Sequence, residues 1–369
     1  MSKEVVIRPY QPGDEVGIVK LLEVVFGGWP HFDLSCSPLE HWKWKHLENP
    51  FGQGLKAIGI SNDTVIGVNH IGFMRSWIGG KTRLCGQGLD LAVHPDFRGL
   101  RVSSKIDAIN NKTFEGLNPA LSYWVTTNPL IIKNALKNRN PHFPQQISDL
   151  IRIRDIDLHL EKNLSEKPLL KKYAFCLLKG LKKISSAPTR TIQNEKSKEA
   201  NIRDIDRFDE GIDSFWNNAK DGYSFIVERS REYLNWRYCD PRGGKYIVKQ
   251  MIEQDSVIGY IVLRINRYVK DYPTGSIVDL LTLPNRLDAA DLLIREAIDY
   301  FDEKNINIIR CWIVRNHSYN HLLKIHGFVT SGTNIHVLYN PFIGESELEE
   351  FNAATSDRLH FQLGDTDWI

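Results

Sequence analysis

Apolar and polar positions along this chain follow two periods, and they do so twice in the same order. The stretches "LKAIGISNDTVIGVNHIGF" and "KYIVKQMIEQDSVIGYIVLRI" are apolar runs interrupted by Asn-Asp and Gln-Asp, which predicts two antiparallel strands joined by a tight turn in each. Each is preceded by an amphipathic helix behind an opening arginine and by a Trp-centred helix. Each is followed by an Asp-bearing strand ("LDLAVHP", "VDLLTLP"), a turn and a longer helix. In the first of these helices Val102, Ile106, Ile109 and Thr113 recur at helical spacing, and Gly116 with Asn118-Pro119 marks its end. In the second, Ala290, Leu293, Ile294, Ala297, Ile298 and Phe301 make a broader apolar stripe. A further strand ("LSYWVTT", "NIIRCWIV") and a short helix complete each set. Strand, turn, helix and strand in succession predict an α/β class protein with a mixed sheet and helices packed on it.

The two sets are copies. Their separation drifts from 195 residues (Arg8 to Arg203) through 192 (Trp44 to Trp236, Gly67 to Gly259) and 189 (Asp90 to Asp279, Pro95 to Pro284) to 188 (Asn128 to Asn316). A slow drift in preserved order is the trace of duplication followed by small loop insertions and deletions. The expected division is an N-terminal domain over 1–160, a basic amphipathic helix and linker over 161–200, and a C-terminal domain over 201–369. Within the middle piece, "KPLLKKYAFCLLKGLKKI" is an apolar stripe studded with lysines, read as packing between domains rather than lying on a membrane, and "NEKSKEANIR" has linker composition.

With 42% hydrophobic and 25% charged residues in 369, the chain has apolar material for two cores. A net charge of +2 supplies no field for neutralising many phosphates, so nucleic acid is not an expected partner. Five scattered cysteines without CxxC spacing point away from a disulfide framework or zinc site. The polar N-terminus is unlike a signal peptide and no apolar run approaches a membrane span, so a cytoplasmic protein is expected.

The stretch "LDLAVHPDFRGLRVSSKI" resembles the cofactor motif of the GNAT acyltransferases, the acetyl-CoA-dependent N-acetyltransferases: Arg or Gln, two residues, Gly, one residue, then Gly or Ala, between a strand and a helix. "VRNHSYNHLLKIHGF" is similar to the family's next strand and helix, which commonly close on Gly-Phe. The resemblance covers most of both copies and implies two tandem GNAT-like domains, each a mixed central sheet flanked by helices, with acetyl-CoA as cofactor. Leading N–H groups of a helix lack intrahelical acceptors and carry the positive end of its dipole, so a diphosphate fits there. On this reading Arg98, Gly99, Leu100, Arg101, Val102, Ser103 and Ser104 form the cradle, Leu91, Ala92 and Val93 pair with the pantetheine arm, and Asn128 joins the cofactor site. Arg101 stands where the family most often has its middle glycine, and is expected to keep a helical backbone with its guanidinium on a phosphate. Aligned on the proline, Leu287-Asp288 replaces Arg98-Gly99 in the second copy. A carboxylate there repels a diphosphate and suits a helix N-cap, so the second copy is expected to bind no CoA.

Acyl transfer needs a base, an oxyanion donor and an acid. Asp90 is the candidate base, although its counterpart Asp279 in the second copy equally suits a sheet anchor. The position where the family often has its tyrosine acid is Leu323 here, so the acid role stays open. Tyr123 and His94 are nearby in the pattern, each more often a packing or surface residue. The aromatics before the first strands, Trp29 and Phe32 among them, are expected to wall the substrate, and Asp365 and Asp367 near the C-terminus to attract a cationic amine. No metal-ligand set is expected. The expected reaction is direct transfer of acetyl to a primary amine of a small molecule, with a nucleotide-linked amino sugar of surface-polysaccharide metabolism suggested by similar tandem proteins. Aminoglycosides, peptides and polyamines are the other acceptor classes, a non-catalytic module is the rival, and oligomeric state stays open.

Overall fold

A computed structural model of the chain describes residues 4–137, 140–164 and 200–368. The basic amphipathic stretch and most of the linker therefore lie outside the described residues. Both tight turns form as expected: Asn62 (φ 47°) and Asp63 (57°), and Gln254 (47°) and Asp255 (62°), occupy the left-handed region that a two-residue hairpin requires.

The strands make a single sheet that reads almost the same from either end. From one edge run β1 (Val6–Pro9), β2 (Leu55–Ser61), β3 (Thr64–Ile78), β4 (Lys81–Val93) and β5 (Leu121–Thr126). From the other run β7 (Asn201–Ile205), β9 (Tyr246–Glu253), β10 (Ser256–Asn266), β11 (Thr274–Thr282) and β12 (Ile308–Val314). Between them the two halves trade strands. β13 (Val329–Pro341), from the end of the chain, pairs with β5, while β6 (Ile147–Ile153), from the first half, pairs with β12, and the two also pair with each other. A short strand, β8 (Phe225–Val227), adds to β3. Neither half closes its sheet with its own last strand.

Side chains fix which helix lies on which face. Along β2, Ile58 packs with α1 (Glu15–Phe26), Trp42 of α2 (Pro38–Leu47), Val68 and Ala92. Its neighbour Ala57 packs with Val102 and Ile106 of α3 (Val102–Glu115). Successive strand residues point to opposite faces, so α1 and α2 cover one side of the first half and α3 the other. The repeated glycines allow the long helices to approach: a Cβ on Gly67 would lie 2.6 Å from Val102 Cγ1, and one on Gly259 3.2 Å from Leu293 Cδ1. The buried stripe of α3 is Val102, Ile106, Asn110 and Phe114, turned slightly from the expected one. Thr113 faces solvent and donates its hydroxyl to Ile109 O.

The pseudo-twofold relation is explicit at the residues that mark the repeat. Trp44 and Trp236 stack with centroids 4.8 Å apart, and each indole N–H donates to the other's backbone carbonyl, at 3.2 and 3.3 Å. Arg8 meets Asp14 at 2.7 Å and Arg203 meets Asp209 at 3.4 Å, both six residues on. A bulge in β4 sets Asp90 and Leu91 against the single residue Asn69, with Asp90 at φ 46°. It bends the strand where the functional cleft begins.

Candidate active site

β4 and β5 run parallel and pair only from Cys85–Leu121 to Gln87–Tyr123, after which they diverge. A cleft of about 900 Å³ occupies the gap. Its lining includes Ser103, Ser104, Asp107 and Asn111 from α3, and Trp29, Pro30, His31 and Phe32 from the loop after α1. Those groups lie on opposite faces of the sheet, so the cleft passes through it. A ligand arriving over α3 and one arriving past Trp29 can meet beside Asp90 without either leaving its own side.

At the α3 end, the N–H groups of Gly99 and of Arg101 to Ser104 meet no acceptor among the described residues. Gly99 (φ 83°) and Arg101 (φ 58°) are both left-handed. Arg101 thus takes the conformation of the glycine it replaces, contrary to the helical expectation, at about 1 kcal/mol of strain. Bare amides and a helix dipole together are the arrangement that suits an anion. Ser103 and Ser104 border the cleft and Leu91 lines its wall, but Ala92 and Val93 pack under α1 and α3. Asn128 lies outside the lining: its Oδ1 accepts from Leu130 N at 2.9 Å and so caps α4 (Pro129–Lys137). That helix reaches the cleft through Ile131, Asn134 and Ala135 instead.

Asp90 is saturated with donors. Trp29 Nε1 lies 2.9 Å from Oδ1, and Lys45 Nζ and His46 Nε2 lie 2.8 and 3.1 Å from Oδ2. Burial pushes its carboxyl up, but Lys45 and then His46 outweigh this and hold it well below the usual range. With three donors on it, this carboxylate is better placed to fix Trp29, α2 and the bulge, the sheet-anchor alternative, than to accept a proton as the expected base. Lys45 was not foreseen, although its position 192 residues before Arg237 was a signal. Burial pushes His46 down to about 4, leaving it neutral and able to donate Nε2–H to Asp90.

His46, His70 and Asp90 come within metal-ligand reach of one another. The two imidazoles, however, stack at 4.0 Å and 18°, so their in-plane lone pairs run nearly parallel and cannot converge on one ion. The Lys45 ammonium already occupies the cation position on Asp90. These residues do not fit a metal centre.

Two further expectations are corrected. Tyr123 borders the cleft, but its hydroxyl is buried and its proton is committed to Asp365 O at 2.8 Å, with burial pushing its pKa up. Asp365 does not face substrate: fully buried, it accepts from Arg229 Nη2 at 2.7 Å. Trp29, Phe32 and Asp367 do line the cleft, with Trp368 beside them.

The second half has the same gap, closed. β11 and β12 pair from Thr274–Ile308 to Ile277–Cys311 and then part. The C-terminal segment and the helix over Ser318–Ile325 fill the space: Gln362 Oε1 accepts from Leu280 N at 2.8 Å, His360 Nε2 sits 3.2 Å from Leu280 O, and Tyr319 Oη, from that helix, accepts from Thr282 N at 3.1 Å. The loop before the long helix (Leu287–Glu303) has four residues, 283–286, against eight, 94–101, before α3. Asp288 therefore sits opposite Ser103 and not Gly99. It lies inside the first turn, its carboxylate bonded to Arg286, and Arg286 rather than Asp288 is the N-cap.

No protein-family profile matches the chain, and no curated protein matches it. Among solved structures, it is similar to a conserved protein of Enterococcus faecalis described as a probable N-acyltransferase, at a TM-score of 0.61 and 11% identity over 92% of this chain and 73% of that one. It is also similar to a GCN5-related N-acetyltransferase from Anabaena variabilis, at 0.58 and 13%, covering 92% and 73% of the two chains. The N-myristoyltransferase of Saccharomyces cerevisiae, solved with myristoyl-CoA bound, matches at 0.58 and 10%, over 92% and 83%. These likenesses span both halves, and the fold is the one these N-acyltransferase structures share.

Proposed function

We propose that this chain is an acyl-CoA-dependent N-acyltransferase with one cofactor site, in the gap between β4 and β5. The observation that carries this reading is the cleft crossing the sheet, with bare helix-terminal amides at one mouth and an aromatic wall at the other. On it, the diphosphate lies on Gly99 and Arg101 to Ser104, with Arg98 alongside, and the pantetheine arm follows the unpaired edge of β4 past Leu91. The thioester then sits beside the bulge, where a backbone N–H near Val93 receives the developing oxyanion. The acceptor enters past Trp29 and Phe32, on the other face, and both substrates are held together for direct transfer.

The acyl unit we propose is acetyl and the acceptor a primary amine of a small molecule, with amino sugars the first class to test. Titration calorimetry with CoA is expected to give one site per chain. Thiol release from acetyl-CoA over amino sugars, polyamines and peptides then identifies the acceptor. An absence of binding at millimolar CoA would favour a non-catalytic module.

A further inference from the structure

We propose that Asp367 takes the proton from the attacking amine and that a small cavity behind it, between the two halves, hands that proton to water; this deepens the acyl-transfer reading and rests on it. Asp367 and Asp90 share one cation, with Lys45 Nζ at 3.1 Å from the former and 2.8 Å from the latter. Asp90 has two further donors, His46 and Trp29, that Asp367 lacks. Two carboxylates on one ammonium in unequal surroundings are driven apart in proton affinity, and the less supported one becomes the base. Burial pushes the Asp367 carboxyl up, Lys45 pulls it back, and Asp90 adds to the rise. Among the described residues, the other charged group facing it is Arg237, from the second half.

Asp367 is held in place by the closed gap. Arg229 binds Asp365, Tyr123 Oη donates to Asp365 O, and Arg237 Nη2 donates to Thr366 O at 2.8 Å. The tail that plugs the second gap thus delivers Asp367 to the first.

Asp367 also borders a cavity of about 40 Å³, which shares Phe32 and Leu89 with the cleft and is lined by His41, Lys45, Asn49, Gln87 and Thr366. That is room for about two or three waters. Its walls offer them partners. Gln87 is 6% exposed and its amide bonds to no described residue. His41 Nδ1 lies 2.7 Å from Arg242 O, which requires the proton there and leaves the Nε2 lone pair bare. The chemistry balances: the amine nitrogen bonds the thioester carbon, the C–S bond breaks with its electrons on sulfur, and the N–H proton passes to Asp367. An acceptor arriving as an ammonium loses two protons; one protonates the CoA thiolate and one leaves through the cavity.

The test pairs Asp367→Asn with infrared difference titration, CoA calorimetry and thiol release with glucosamine as amine probe. In the unaltered protein a carboxyl band from Asp367 is expected to titrate above the ordinary aspartate range, beside those of Asp107 and Asp299, which burial also raises. The Asp367 band should vanish in Asp367→Asn and move lower in Asp90→Asn, which removes the neighbouring charge. CoA affinity should stay within about 2-fold while turnover drops about 10² to 10³-fold and loses the acidic limb of its pH profile. Gln87→Leu should lower turnover several-fold with CoA affinity intact. Persistence of every raised band in Asp367→Asn overturns the proposal, as does turnover within 3-fold of the unaltered protein; normal turnover in Gln87→Leu overturns the proton exit. Failure to bind CoA would instead refute the acyl-transfer reading, with the infrared band still reporting on Asp367.

Discussion

The two strand gaps were built on one plan and ended in opposite states. In the second, Gln362, His360 and Tyr319 bond Leu280 and Thr282. The equivalents by the 189-residue separation, Leu91 and Val93, meet no side chain across their gap among the described residues. The second helix carries an anion, Asp288, in its first turn, where α3 has Ser103. Even the strand aspartates diverge: Asp279 is fully buried against Arg229, Tyr238 and Tyr260, whereas Asp90 borders open space. A duplicated gap is thus closed by protein groups that imitate a ligand, a carboxylate for the phosphate and an amide side chain for the peptide-like arm. The imitation shows what the open gap is shaped to accept.

The comparison can be broken most forcefully at Arg229. Arg229→Met leaves Asp279 and Asp365 buried without their cation, and should destabilise the fold by about 3 to 5 kcal/mol in urea unfolding. An unchanged midpoint would mean that the closed gap does not pin the tail. Acid tests the open half. His46, held near 4 by burial, titrates near 6.5 when unfolded, so between those values the unfolded chain binds more protons and stability falls as pH drops. The loss approaches about 3 kcal/mol at the bottom of the window. Melting temperatures should decline from pH 7 to 5, and less so in His46→Asn; a flat profile contradicts the neutral donor role. Ser103→Asp copies Asp288 into the open cradle and should weaken CoA binding at least about 100-fold, roughly 2.7 kcal/mol, by calorimetry. The reverse change, Asp288→Ala, should cost about 0.5 to 1 kcal/mol and confer no second CoA site, because the tail still fills the gap.

What the sequence disclosed follows from the range of the interactions. The hairpin turns, the helix stripes and the Trp44–Trp236 equivalence are local or periodic, and their residues state them directly. The trade of β6 and β13 is not legible, because antiparallel pairing carries no mark of which half a strand came from. Asp288 was set opposite Gly99 because residue counting cannot place a four-residue deletion within a loop. Asp365 reads as a solvent-facing tail residue until Arg229, 136 positions earlier, is found against it. The place of Asp90 near the end of its strand is legible, but not its state, which depends on Lys45 and His46 from a helix that reads simply as aromatic.

The central claim is that one gap of two accepts a doubly phosphorylated carrier. A crystal structure of the protein with CoA tests it most directly. The account requires density from the amides of Gly99 to Ser104 through the gap between β4 and β5, with Gln362 still seated in the other. Density between β11 and β12, or CoA bound anywhere outside the first gap, would contradict it.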